Sequence, residues 1–292
     1  MVDESTVQFP DKRSLGSLYI ADEAFPHIRK WIGEAKGKLV LAFPKGKMLG
    51  VALGSFGWEA LADANCAELR CLRSIDLSTA QFCEKTVQAI SQLQDLIELR
   101  LDFLKFADGD LSCLKIFPQL KTIWLNGTSV TDQGLIALCE LPSLTNVVLK
   151  NTSVTDNGIG QLKALNLESV TLPEQISNST IKVISNVSSL KRLDLSRTNI
   201  TSDGLEPLAH LEGLQELYLN DTPINDASIV HLARLPSLKI LYLTGTKVSD
   251  AAVPYFENMR SLEHLELRDT GVTEIGVARI RASLTSCAVF GG

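Results

Sequence analysis

Apolar residues recur along most of this chain in one order: Leu, two residues, an aliphatic, one residue, Leu. The pattern begins at Leu72, Leu96, Leu120, Leu144, Leu167, Leu190, Leu214, Leu238 and Leu262, in steps of 23 or 24 residues. A fixed period of this length marks a repeat architecture in which each unit needs its neighbours to bury its apolar side. Within a unit the opening residues alternate apolar and polar, as strands do. In LQELYLNDTPINDASIVHLARLPS, Leu217 and Leu219 point one way and Glu216 and Tyr218 the other.

A turn and a short helix follow each strand. In Val130-Thr131-Asp132-Gln133-Gly134-Leu135, Thr131 suits an N-cap, Val130 and Leu135 suit a hydrophobic staple, and Asp132 suits the positive end of the helix dipole. The signature returns at Thr155-Asp156, Asn225-Asp226, Ser249-Asp250 and Thr273-Glu274. Stacking such units predicts an α/β architecture: a curved parallel β-sheet on the concave face and short helices on the convex face. Thr128, Thr152, Thr198, Thr222, Thr246 and Thr270 recur at the ninth position of their units. A hydroxyl both donates and accepts, so these threonines are expected to form a stacked ladder that bonds the backbone of neighbouring turns.

The unit from Leu167 to Ser189 departs from the pattern, with Pro173 at its strand end and no T-D-x-G, and reads as a locally loosened repeat. The unit from Leu96 to Gln119 lacks the Thr and carries Phe103, Leu104 and Phe106 instead. One period before Leu72 stands Met48; Met48, Val51 and Leu53 make a degenerate first copy. Residues 1–47 are read as an N-terminal cap. In it Lys38–Phe43 and Met48–Leu53 flank a tight turn like a hairpin, and Leu18–Ile20 is a third strand. About ten repeats then span 48–281, and 282–292 close the stack with a short apolar strand.

The T-x-[VI]-T-D-x-G-[LI] element, seen in Thr128–Leu135, Thr152–Ile159 and Thr270–Val277, resembles a group of bacterial leucine-rich-repeat proteins of broadly ribonuclease-inhibitor-like architecture. The leading FPDKRSLGSLYIADEAF and GEAKGKLVLAFPKGK and the closing LTSCAVF are similar to that group's flanks. The resemblance implies a leucine-rich-repeat solenoid that serves as a recognition scaffold. No catalytic-Cys domain of the ubiquitin-ligase effectors, F-box-like bundle or longer GTPase-activating repeat accompanies it.

With the leucines inward, the third, fifth and seventh residues of each unit face solvent. The central column runs Asp76, Arg100, Trp124, Val148, Thr171, Asp194, Tyr218, Tyr242, Glu266. Flanking positions include Glu98, Asn146, Arg192, Glu216, Ile240 and His264 on one side, and Asp102, Asn126, Lys150, Asn220 and Arg268 on the other. Trp, Tyr and Arg are enriched in interface hot spots. Trp124, Tyr218, Tyr242, Arg100, Glu216, Arg192, Asp194, Ile240 and Glu266 are therefore the expected partner-binding residues. The competing reading is that the aromatics merely pack on one another across strands.

Composition narrows the function. The chain has 34 acidic and 28 basic residues, a formal charge of −6, and no basic stripe, which argues against nucleic acid. The longest apolar run, Leu39–Phe43, is far too short to span a bilayer, and the acidic N-terminus lacks a signal peptide's features. The chain is read as cytoplasmic unless a leader has been removed, as free of membrane contact, and as a monomer. Six cysteines are read as reduced; Cys66 and Cys71 have no histidine near them to make a metal site. None of His27, His210, His231 and His264 has a positioned nucleophile, and no P-loop, nucleophile elbow or dinucleotide fingerprint occurs. The expectation is a non-enzymatic protein-interaction scaffold, without cofactor or metal, binding a protein or peptide through the concave sheet. A structural or self-assembly module, or the recognition arm of a larger enzyme or effector, is the alternative. A glycan ligand stays open because aromatic platforms stack on sugars.

Overall fold

In a computed structural model the chain divides into two compact units, Met1–Leu144 and Thr145–Gly292. The structure describes residues 2–9, 14–23, 29–36, 38–44, 47–54, 61, 69, 71–80, 84–105 and 107–292. His27, the turn at Lys45-Gly46, Cys66, Cys83 and Phe106 lie outside the described residues.

In the first unit, β1 (Val2–Gln8) pairs antiparallel with β4 (Lys38–Pro44) in a sheet of their own. The larger sheet contains β2 (Gly16–Asp22), β3 (Arg29–Glu34), β5 (Lys47–Leu53), β6 (Leu72–Asp76), β7 (Glu98–Arg100) and β8 (Thr122–Trp124), in the order β3-β2-β5-β6-β7-β8. Strands β2–β3 and β2–β5 are antiparallel, and β5 to β8 run parallel. Two expectations for the cap need correcting. The strands over 38–53 exist, but β4 pairs with β1 and β5 with β2 and β6, so they are not a hairpin. Leu49, not Met48, pairs with Leu72, because a register shift between Leu49 and Gly50 turns Met48 to the opposite face beside Tyr19 and Ala21.

The second unit is regular. Strands β9 (Asn146–Val148), β10 (Ser169–Thr171), β11 (Arg192–Asp194), β12 (Glu216–Tyr218), β13 (Ile240–Tyr242), β14 (His264–Glu266) and β15 (Ala288–Phe290) run parallel, each beside the next. Their middle residues, among them Val170, Leu193, Leu217, Leu241 and Leu265, are buried with the flanking leucines. Helices return the chain over the other side of this core, as at Asn178–Ile184, Asp226–Leu232 and Glu274–Ser283. Several returns are single 3-10 turns, such as Ser202–Gly204 and Glu206–His210.

The turn after each strand explains the Thr column. Gly127, Asn151, Arg197, Asp221, Gly245 and Asp269 precede the threonines and have φ between 53° and 70°. Glycine, asparagine and aspartate bear this left-handed conformation best. The threonines are mostly buried, but each hydroxyl donates to the carbonyl three residues back in its own turn, as Thr222 does to Leu219 at 2.6 Å. The expected bridging between neighbouring turns does not occur through them.

The bridge lies one turn further on. In the first unit the Asp108 carboxylate accepts the backbone N–H of Thr131 at 2.8 Å and its hydroxyl at 2.6 Å. In the second, Asp156 holds Ser177, Asp226 holds Ser249, and Asp250 holds Thr273 in the same two-point way. Thr131, Ser177, Ser249 and Thr273 also cap their own helices. Thus one carboxylate fixes the capping residue of the next repeat.

The repeat from Leu167 to Ser189 is not loosened. Its turn is one residue shorter, Ser177 takes the capping role, and its helix is full length. Thr180, where four other repeats carry Gly, donates to Asp156 at 2.5 Å, and Ser179 donates at 2.6 Å. Burial disfavours the anion, but the hydroxyls of Ser177, Ser179 and Thr180 outweigh it and hold the Asp156 carboxyl at about 2.

Candidate functional site

The face opposite the leucines carries chemistry in both units. In the first, strand order sets Ser74, Glu98 and Thr122 in one row and Asp76, Arg100 and Trp124 in the next. The cap reaches across this face. Tyr19 lies over Gly50, where any Cβ would meet its ring at 2.3 Å, and its hydroxyl is 2.6 Å from Ser74 Oγ. Ser74 donates to Glu98 Oε2 at 2.5 Å, Trp124 Nε1 donates to Glu98 Oε1 at 2.7 Å, and Arg29 bridges Asp76 and Glu98. Arg29 stacks on Tyr19 and Arg100 on Trp124, at 4.2 and 3.9 Å from the ring centres. Glu98 is fully buried, and burial pushes its carboxyl above the ordinary value although Arg29, Ser74, Arg100 and Trp124 all favour the anion. This row is an internal network that ties cap strands to the repeats. Trp124 and Arg100 remain half-buried in it.

The second unit carries a row of rings. Tyr218 and Tyr242 stack at 4.9 Å, Tyr242 and His264 at 4.9 Å, and His264 and Phe290 at 5.0 Å. These separations match the spacing of neighbouring strands, which is what stacks them. Arg192 closes the Tyr218 end at 4.8 Å. Tyr218, Tyr242 and His264 are half-buried and Phe290 is 44% exposed. The Tyr218 hydroxyl donates to Glu216, and burial pushes its pKa up. The rings of this stack pack on one another across strands, and Ile240 stands half-buried on the row beside them.

The charges of this face are paired. Arg192 lies 3.5 Å from Glu216, Lys150 lies 3.9 Å from Asp194, and Arg268 grips Glu266 through Nε and Nη2 at 2.7 and 2.5 Å. Burial lowers the Lys150 pKa, and Arg268 holds the Glu266 carboxyl below its usual value. Glu266, expected on the open surface, is 2% exposed, because Arg268 from the following turn folds over it. His264 and Phe290 complete the stack and were not among the expected binding residues. The signal was present: one period of 24 beyond Glu266 lands on Phe290.

Beyond the C-terminal ends of β9 to β14 lies a cleft of about 550 Å³. Its lining is Lys150, Asn151, Glu174, Ser196, Arg197, Asn220, Asp221, Tyr242, Thr244, Glu266, Arg268 and Asp269. The described residues contain no group of His, Cys, Asp and Glu arranged to hold a metal ion.

The leucine-rich-repeat family model matches residues 188–248, within the second unit. No curated protein sequence matches the chain significantly. Among solved structures, internalin C2 of Listeria monocytogenes is similar with a TM-score of 0.50 and 22% identity, over 63% of this chain and 84% of that one. An internalin, inlF, of the same species is similar with a TM-score of 0.55 and 18% identity, over 83% of this chain and 79% of that one. The 24-residue period, the parallel strands with their helical returns and these likenesses agree on a leucine-rich-repeat fold for this chain.

Proposed function

We propose that the chain is a non-enzymatic protein-interaction scaffold that engages its partner through the open sheet face of the second unit. The observation that carries the reading is the stack of Tyr218, Tyr242, His264 and Phe290, capped by Arg192 and lying on the side of the sheet away from the helices. Stacking fixes the rings, so a partner meets a preformed aromatic surface and little side-chain entropy is lost on docking. Large, rigid aromatics beside an arginine are the residue types that dominate interface energetics. The charges of the same face are already paired, so its affinity is expected to vary little with salt.

The test is a pull-down and titration with Tyr218→Ala/Tyr242→Ala beside the wild type, and with Trp124→Ala added. The double variant is expected to keep its circular dichroism spectrum and to lose the partner captured by the wild type. Unchanged capture by a folded triple variant would move the docking surface elsewhere.

A further inference from the structure

The cleft in the second unit is built differently from the aromatic stack. Each repeat from β9 to β14 contributes to it with residues of the turn after its strand, and none of the lining residues is aliphatic. Sites for drug-like molecules or for apolar side chains are mostly apolar, with a few polar groups for orientation. A cleft in which every lining side chain can hydrogen-bond, with carbon stems and the Tyr242 ring between the polar groups, fits a ligand that alternates hydroxyls with C–H surface.

The charges of the lining narrow the choice. Four carboxylates face three cations across the cleft. Arg197 Nε donates to Asp221 at 3.4 Å, Arg268 is spent on Glu266, and Lys150 donates to the Ser196 carbonyl. An anion entering here has to compete with carboxylates for their cations, and a cation meets guanidinium groups. A neutral ligand rich in hydroxyls breaks none of these pairs, because each hydroxyl both donates and accepts. Arg197 and Asp221 are also well exposed, with side chains 73% and 53% accessible, so their remaining hydrogen-bonding capacity points to solvent.

We infer that this cleft binds a short neutral oligosaccharide, held by hydrogen bonds. Both faces of the Tyr242 ring are covered, by Tyr218 and His264. Tyr242 therefore offers the ligand its edge and hydroxyl and no stacking platform. Binding in the millimolar range follows from an open site held mainly by hydrogen bonds that compete with water.

The test is an amide NMR titration with neutral trisaccharides of glucose, mannose and N-acetylglucosamine, each taken to millimolar concentration. An uncharged Gly/Ser/Tyr peptide of similar size serves as the competing probe. At least one sugar is expected to shift the amides of Asn151, Arg197, Asp221 and Thr244 with saturation. The variant Arg197→Gln/Asp221→Asn is expected to weaken that binding about tenfold, as loss of charged hydrogen-bond partners does. No shift with any sugar, shifts unaltered by the variant, or the same shifts from the peptide alone would each overturn the inference. The variant leaves the aromatic stack untouched, so retained capture of a protein partner separates failure at the cleft from failure at the sheet face.

Discussion

The Asp250 carboxylate stands 2.2 Å from the point where a Cβ on Gly276 would be, while it holds Thr273 of the same following repeat through two hydrogen bonds. The same crowding occurs between Asp108 and Gly134, at 2.4 Å. In these two joints the glycine of T-D-x-G lies against the previous repeat's aspartate, closer than a Cβ could come without a shift, whereas the joints at Asp156 and Asp226 carry Thr180 and Ala252 at that place with the carboxylate accommodated. Gly276→Ala is expected to force the Asp250 carboxylate to shift where it stands against Gly276, and to destabilise the protein by about 1 kcal/mol or less, since the joint at Asp226 accommodates Ala252. Urea unfolding measures this; a rise in stability, as helix propensity alone would give, refutes the explanation.

Acid should act on the same joints. The Asp156 carboxyl is held at about 2, below its usual 3.8. A carboxylate with a depressed native pKa contributes stability that is fully present above the unfolded value and is lost as pH falls toward the native one. Its share, after allowance for solvent screening, is about 1–2 kcal/mol. Between roughly pH 4 and 2 the wild type should lose this share and Asp156→Asn should not, so the gap between them in urea narrows. A constant gap across that range would count against the assignment.

Thr222 donates to the Leu219 carbonyl from a site that is 3% exposed. Thr222→Val keeps the shape and removes the donor, and should cost about 1 kcal/mol in urea unfolding. Thr198→Val, with the same bond to Leu195, should cost a similar amount. Because these bonds stay within one turn, the double variant should be additive; strong coupling would point to a ladder across turns after all.

Strand β15 ends the sheet order, and both Nε and Nη2 of Arg281 donate to the Val289 carbonyl. An unpaired strand edge invites another strand, and natural proteins guard such edges with charge. Arg281→Ala should uncover this acceptor and produce concentration-dependent association in sedimentation velocity. A variant that sediments as the wild type does at every concentration would show that Arg281 does not protect the edge.

The spacing of the leucines made the parallel strands β6 to β14 and the capping residues Thr131, Thr155, Asn225, Ser249 and Thr273 legible, since each depends on chemistry inside one repeat. What stayed hidden depends on two repeats at once. Asp132 and its equivalents read as helix-dipole partners, whereas Asp108, Asp156, Asp226 and Asp250 are shown gripping the next unit. Glu266 sits at a solvent-facing position by count and is covered by a side chain from its own turn. Met48 matched the period, but a bulge handed its place to Leu49, and spacing carries no signal for a bulge. Of the candidate site, Tyr218 and Tyr242 were legible as neighbours in one column; His264, paired with Ile240 in the adjacent column, stacks on Tyr242 across columns, which alternation does not encode.

The joints between repeats also bear on how such a chain can grow. Where a carboxylate meets a backbone N–H and a hydroxyl, as at Asp226 with Ser249 and Asp250 with Thr273, the coupling is the same on every occasion. Whole periods bounded by it are interchangeable, so duplication or deletion of one preserves the seam. The joints Asn178–Thr201 and Ser202–Asn225 use an amide and a reversed hydroxyl instead. A period transplanted here from the regular stretch would meet Asn178 or Ser202 in place of a carboxylate and lose a charged hydrogen-bond acceptor, so these seams are not interchangeable with the others.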